Sequence, residues 1–314
     1  MRGRLGFCAN AFGVTNMADN TRLDILICTF QRDSLETCLR SVLAQTVPNG
    51  LTVGIIVTDN AAIPFAANIV ANIARYSAIP IHYIHAPAAN ISVARNACLD
   101  ASHADWIVFI DDDEHAPQGW LQHLWDDVRG HDVVFGDVLA IYPDQAPDWI
   151  KNSNFHTTKI DPKAIPINTG FAGNVIIRWR GSDWFKQRFD LALGTSGGED
   201  TAFFHAVYQL GGKMGVSRRG FVWEPVPISR LSLRWLVRRR FRAGQSYAGI
   251  ALNAQTPISL AMVSTAKAMF SAIATLCHLW HPTRRGFWML RMVFHLGVGS
   301  HCFRGYGRSI QGQA

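Results

Sequence analysis

Ala104 to Pro117 reads A-D-W-I-V-F-I-D-D-D-E-H-A-P, and it limits the folds open to this chain more than any other stretch. Trp106 to Ile110 is a run of β-branched and aromatic residues that passes without a break into Asp111, Asp112, Asp113 and Glu114. A short unbroken apolar run suits a strand covered on both faces, as in a parallel sheet. Carboxylates crowded at the end of such a strand repel one another unless a cation or a set of hydrogen-bond donors sits among them. Oxygen-only ligation of this kind favours Mg²⁺ or Mn²⁺ over zinc, with substrate phosphate and water filling the remaining positions. The same residues also read as a solvated acidic turn in which Asp112 or Asp113 caps a helix opened by Pro117. The rest of the chain has to decide.

Upstream, strand-like and helix-like segments alternate. Leu23 to Phe30 predicts a strand, and Asp33-Ser34-Leu35-Glu36 has the spacing of a capping box opening a helix to about Ala44. A second strand, Leu51 to Thr58, stops at Asp59-Asn60. A helix over Phe65 to Arg75, a strand over Ile81 to His85 and a helix carrying Val93, Ala94, Ala97 and Cys98 follow, and the acidic strand comes next. Four strands separated by three helices predict an α/β fold with a doubly wound, mostly parallel sheet. In such sheets ligands bind at the carboxyl ends of the strands. The polar residues at those ends are Thr29, Gln31 and Arg32, then Asp59 and Asn60, then Arg95 on the following helix, then Asp111 to Glu114. Acids able to hold a metal, with arginines able to clamp phosphate, describe a nucleotide-diphosphate site. No G-x-G-x-x-G follows the first strand and there is no G-x-x-x-x-G-K, so dinucleotide and P-loop readings lose their support.

Downstream, Trp120 to Val128 reads as helix, Asp132 to Ile141 as strand, Pro143 to Thr169 as a long loop and Gly173 to Trp179 as a further strand. Gly194-Thr195-Ser196-Gly197-Gly198-Glu199-Asp200 is a flexible loop that delivers two acids to the mouth of an apolar helix, Thr201 to Leu210. Asp200 could simply cap that helix, but a cap does not need Glu199 as well. Phe221 to Val226 reads as strand and Ser232 to about Asn253 as a basic helix containing R-R-R-F-R-A-G-Q.

Charge divides the chain. From Lys213 onward fifteen Lys and Arg face a single acid, Glu224, giving +14 and leaving −7 on residues 1 to 212. That asymmetry turns the C-terminal third toward a polyanion or an anionic membrane. Its richness in Leu, Met, Phe and Trp suits a lipid surface better than nucleic acid, which is set aside as a partner. Pro257 to Trp280 is interrupted by Lys267, and Gly286 to Val298 is short and contains Arg291, so a spanning helix is not expected. Residues 1–20 lack the sustained apolar core of a signal peptide and are expected to be disordered. The six cysteines show no C-x-x-C pair, suggesting neither a zinc site nor a disulfide framework and favouring a reducing cytoplasm.

Taken together, C-T-F-Q-R (28 to 32), V-T-D-N (57 to 60), I-S-V-A-R-N (91 to 96), F-I-D-D-D-E (109 to 114) and G-G-E-D (197 to 200) resemble, in order and spacing, the inverting glycosyltransferases of family 2. The tail from Glu224 to Gly244 is similar to the bacterial exopolysaccharide branch that includes succinoglycan glucosyltransferases. The resemblance covers about residues 22 to 250. It implies a GT-A fold over 21–253. The basic charge and apolar segments of the C-terminal third, not the resemblance, lead to the expectation that 254–314 forms amphipathic helices lying peripherally at the inner face of the cell membrane. The resemblance also implies a nucleotide-diphosphate sugar donor such as UDP-glucose, a lipid-linked or oligosaccharide acceptor, and Mn²⁺ or Mg²⁺ as cofactor. Carried over residue by residue, it implies that Asp59 holds the base in a pocket lined by Thr29, Phe30 and Arg32. Arg95 approaches the diphosphate, Asp112 the ribose, and Asp113 with Asp111 the metal, while Asp200 is the general base and Glu199 its alternative. The glutamine-x-x-arginine-tryptophan motif of processive synthases is absent, its place taken by Arg238 to Arg242, which implies single-sugar addition. A sugar nucleotidyltransferase would want a glycine-rich basic loop where T-F-Q-R stands, and a non-catalytic membrane scaffold would leave Asp111 to Glu114 and Glu199-Asp200 without a purpose.

Overall fold

The computed structural model describes residues 20–161, 166–252 and 255–311, with side chains as far as Phe303. The chain runs β1 (Thr21–Thr29), α1 (Ser34–Leu43), β2 (Leu51–Asp59), α2 (Ala67–Ala74), β3 (Ile81–His85), α3 (Ile91–Ala101) and β4 (Trp106–Asp111). This is the alternation the apolar runs predict. It continues as α4 (Trp120–Asp126), β5 (Val133–Ile141), α5 (Asp148–Ser153), β6 (Asn174–Arg178), α6 (Glu199–Gln209) and β7 (Met214–Pro225). Three long helices close it, α7 (Leu233–Ala251), α8 (Pro257–Cys277) and α9 (Pro282–Gln311).

The strands form one seven-stranded sheet ordered β3-β2-β1-β4-β6-β5-β7. All pairs are parallel except those of β6, which runs antiparallel to both β4 and β5. Strand order reverses direction between β1 and β4, so the acidic end of β4 lies at the switch point, beside Thr29. Both faces are covered. Along β1 the odd positions Leu23, Ile25 and Ile27 pack against α1, α2 and α4, whereas Leu26 and Cys28 face α3 and α6 through Ala94, Cys98, Phe203 and Phe204. This two-sided burial is what the unbroken apolar runs encode. Buried Asn174 ties β6 into the core, accepting from Trp120 Nε1 at 2.9 Å and donating to the carbonyls of Asp137 and Gly220.

Three expectations change. The capping box at Asp33 does not form: Asp33 has helical backbone angles (φ −72°, ψ −22°) and makes no side-chain cap, while Glu36 is taken by Arg40 one turn on, at 2.7 and 2.9 Å. The stretch read as a loop from Pro143 to Thr169 contains α5 and a strand-like bridge between Thr158 and Val138. Its short elements lie below the length at which periodicity is readable. Third, α8 is 21 residues long and, by length and composition, apolar enough to cross a membrane despite Lys267. The expected disorder of residues 1–20 falls almost wholly outside the described residues, as does the boundary expected at Asn253.

The C-terminal helices pack unusually closely. A Cβ on Gly244 of α7 would lie 2.0 Å from the carbonyl oxygen of Phe294, and one on Gly297 of α9 would lie 2.1 Å from that of Phe241, so the two backbones touch. Helix α8 is inverted relative to a soluble surface helix. It buries Leu260, Ser264, Ala268 and Ser271, spaced along one face, while Ile258, Met262, Met269, Ile273 and Leu276 point outward, each more than half exposed.

Candidate active site

Each element ends its polar residues in one crevice. Thr29, at the end of β1, donates through Oγ1 to Asp112 Oδ2 at 2.7 Å, and Arg32 in the turn that follows reaches Asp112 Oδ1 at 3.0 Å and also pairs with Asp113. Between them Gln31 is held at φ +52°, strain that a ligand-facing turn commonly carries. From the far side, Arg230 bridges Asp113 at 3.4 Å and Glu224 at 2.5 Å. These residues, with Phe30, Asn60, Asp111, Glu114 and Arg239, line a cavity of about 770 Å³.

Arg95 is the hinge of the site. It is buried on α3, and its guanidinium meets Glu199 at 2.9 Å, Asp200, and Asp111 at 3.7 Å. Helix α3 is fixed by its N-cap: Asn90 accepts from the backbone N–H of Ser92 and Val93 and donates to the Leu191 carbonyl, tying the helix to the glycine loop. That loop enters α6 through Gly197 and Gly198 at φ +88° and +100°, conformations that side chains rarely adopt. Gly198, not Asp200, stands at the cap position, and Asp200 makes no cap. Its other oxygen accepts from the backbone N–H of Ala172 at 3.1 Å. Asp200 therefore lines both the first cavity and a second, of about 1100 Å³, whose walls are the glycine loop, Asn168 to Phe171 and one face of α7. Glu199 lines only the second, and its Oε2 is buried without a hydrogen-bond partner.

The carboxyls are incompletely neutralised. Burial, more than its acidic neighbours, pushes Asp111 up to about 7, against the lowering influence of Arg95, and Asp112 is pushed up to about 6 mainly by burial, against Arg32 and the Thr29 hydroxyl. Glu114, buried and beside Asp111, is raised well above the ordinary glutamate range. Six acids against four arginines line the smaller cavity, so a cation fits the surplus negative charge, and its donor set is oxygen alone. Among the described residues, however, no group of three or more acids, His or Cys converges in the geometry of a metal shell, because arginines occupy Asp111, Asp112 and Asp113.

The structure brings Thr29, Phe30, Arg32, Arg95, Asp111, Asp112, Asp113 and Asp200 to one cavity. It does not bring Asp59 there. That side chain is fully buried, and its carboxylate closes the turn after β2 by accepting from Ala61 N, Ala66 N and the Tyr83 hydroxyl. Four residues escape the sequence reading. Arg230 and Glu224 form the far wall. Trp235 faces both cavities, stacked at 5.1 Å on buried His156, whose own ring nitrogens meet the Tyr142 hydroxyl and the Arg230 carbonyl. The lone acid in a basic third, Glu224, was the available signal for that wall.

Residues 24–183 match the sequence model of "Glycosyl transferase family 2". The chain is 38% identical to "Succinoglycan biosynthesis protein ExoM" of Rhizobium meliloti (strain 1021), over 89% of this chain and 92% of that protein. Solved structures similar to it include S. aureus TarS 1-349 in complex with UDP-GlcNAc (TM-score 0.53, 13% identity, 88% of this chain and 92% of that one). GalNAc-T7 with UDP, GalNAc and Mn²⁺ is another (TM-score 0.53, 14% identity, 71% of this chain and 47% of that one). At those identities the structures establish the shared GT-A architecture, and the family match together with the 38% relative establishes membership: this chain is a family 2 glycosyltransferase.

Proposed function

We propose that the protein moves a single sugar from a nucleotide-diphosphate sugar, UDP-glucose or similar, to a hydroxyl of a lipid-linked or oligosaccharide acceptor, inverting the anomeric centre, in exopolysaccharide or cell-surface glycan synthesis. The observation that carries this reading is the place of Asp200, clamped by Arg95 and facing two cavities at once. A carboxylate so placed can take a proton from an acceptor hydroxyl lying in the larger cavity, and the resulting oxygen nucleophile attacks a sugar presented from the smaller one. The diphosphate leaves on the opposite side in a single displacement, hence inversion. Arg95 holds Asp200 and Glu199 alike through its shared guanidinium, and Asp200 is the better choice for the base because it alone of the two lines both cavities. In the smaller cavity Thr29 and Arg32 set the rotamer of Asp112, which is proposed to meet the ribose, and Arg32 and Arg230 offer guanidinium forks to phosphate oxygens. Asp111 and Asp113 are the residues that would hold Mn²⁺ or Mg²⁺, an ion that supplies charge neutralisation to a departing diphosphate. The pathway class is supported by the relative named for succinoglycan biosynthesis.

The outward apolar stripe of α8 and the basic C-terminal third support a peripheral position on an anionic membrane, at its cytoplasmic face. Incubating purified protein with a panel of nucleotide sugars should give slow release of nucleotide diphosphate from one of them, abolished by chelator and restored by Mn²⁺ or Mg²⁺. Release from none of them, or undiminished release in excess chelator, would overturn the donor or the metal assignment respectively.

A further inference from the structure

His156 is a buried imidazole that the proposed reaction does not use. It lies in the link after α5 and is 3% exposed. Its neighbours in the chain are pinned. Phe155 shares a core with Ile150, Leu236 and Leu290, and the Thr157 hydroxyl accepts from the backbone N–H of Ala140 at 3.0 Å. Thr158 and Val138 exchange both backbone hydrogen bonds, at 2.9 and 3.0 Å. The imidazole is thus mounted between β5 and α7, and the Trp235 stack fixes its plane.

Its protons have one arrangement. The Arg230 carbonyl can only accept, so Nε2, 3.1 Å away, carries the ring proton. Nδ1 is then bare and accepts from the Tyr142 hydroxyl at 3.2 Å, while the oxygen of that hydroxyl accepts from the backbone N–H of His156 itself at 3.3 Å. A second ring proton would break the Tyr142 bond and set a cation beside Arg230, Arg239 and Arg240. Burial lowers the imidazole's pKa, in keeping with a neutral ring.

Arg230 is the residue that this arrangement serves. It ends a single 3₁₀ turn, Ile228–Arg230, whose own hydrogen bonds run from Arg230 N to the Pro227 carbonyl and from Leu231 N to that of Ile228. Neither fixes the Arg230 carbonyl. One such turn is a weak frame. Yet the side chain it carries keeps its guanidinium on Asp113 and Glu224 at once, at 3.4 and 2.5 Å. A small tilt of the backbone is amplified along a side chain as long as arginine, and a tilted fork loses its match to phosphate oxygens.

We infer that His156 is a positioning residue for donor binding: its Nε2–H holds the Arg230 carbonyl and so aims the Arg230 guanidinium at the diphosphate. This rests on the transferase reading, in which Arg230 meets phosphate oxygens, and adds the residue that aims it.

The test is a double-mutant cycle read by calorimetric titration of full-length protein with UDP in the presence of Mn²⁺. Arg230→Gln should weaken UDP binding about tenfold, and His156→Phe, which keeps an aromatic ring on Trp235 and removes both nitrogens, about fivefold. Because His156 acts through Arg230, the double variant should be no weaker than Arg230→Gln alone, about tenfold and not about fiftyfold. His156→Gln can still donate to the carbonyl and should bind UDP within about twofold of wild type. Tyr142→Phe leaves the imidazole and removes the donor to Nδ1. It should weaken UDP binding about threefold, and it replaces His156→Phe in the cycle if that variant does not fold.

Three outcomes overturn the inference. The losses in the cycle could multiply, as a merely structural role requires. His156→Gln could fall as far as His156→Phe, so that the hydrogen bond is not what matters. Or Arg230→Gln could bind UDP as wild type does, leaving nothing for His156 to aim. UDP binding by the wild-type protein tests the donor reading separately: its absence overturns that reading and this inference together, whereas binding with multiplied losses sinks this inference alone.

Discussion

Replacing Asp200 by Asn removes a charge and almost no volume. If Asp200 takes the acceptor's proton, Asp200→Asn should lower kcat by about 10²-fold or more and leave the donor KM nearly unchanged, as steady-state kinetics would show. A harmless Asp200→Asn beside an inactive Glu199→Gln would reverse the assignment. Glu114 bears on stability. Burial and Asp111 hold its folded pKa above its ordinary value, so the stability this favours is present below the unfolded pKa and is lost as pH rises through the folded one. Glu114→Gln cannot ionise, so its melting temperature should match wild type near pH 4 and exceed it by a margin that grows toward pH 8. Equal margins at both pH values would contradict the assignment. At this scale sequence reading did best where chemistry is concentrated in consecutive residues, as at Asp111 to Asp113. It missed Arg230 because that residue's partner Asp113 lies 117 positions away. Asp59 has the right type at the right strand end, yet two donors of its own turn and the Tyr83 hydroxyl of β3 bind its carboxylate.

At the scale of elements, the buried strands were the most legible part, because continuous apolar runs have a single good explanation in a two-sided sheet. Helix α5 and the Thr158 bridge were not, being short and stabilised by distant packing: Ile150 and Phe155 share a core with Leu236 and Leu290. Nor did the antiparallel course of β6 leave any trace in its sequence, since direction is set by the connections. Helix α8 reverses the usual logic, with serines inside and large apolar side chains outside. Inserting that stripe among acyl chains, with arginines near an anionic leaflet contributing about 1 kcal/mol each, gives a specific expectation. Wild-type protein should sediment with anionic vesicles and be partly released by salt, while Met262→Glu/Ile273→Glu, which alters only exposed positions, should sediment several-fold less with unchanged circular dichroism. Equal partitioning of the two proteins would remove the membrane from the proposal.

At the scale of the molecule, one helix serves two neighbours: α7 presents arginines to the larger cavity and, through Gly244, touches the backbone of α9. The C-terminal hairpin is therefore built onto the wall of the site. The Arg95 clamp extends the same dependence to the order of events in folding. It joins α3 to Glu199 and Asp200 across 104 and 105 residues, so the base gains its orientation only after most of the chain has been threaded into the sheet. Contacts of such separation form late, after local helices and neighbouring strands. A nascent chain that stops short of residue 200 would already carry Asp111 to Asp113 at the end of β4 yet lack the clamped Asp200, and so would lack the proposed base until chain growth had passed it.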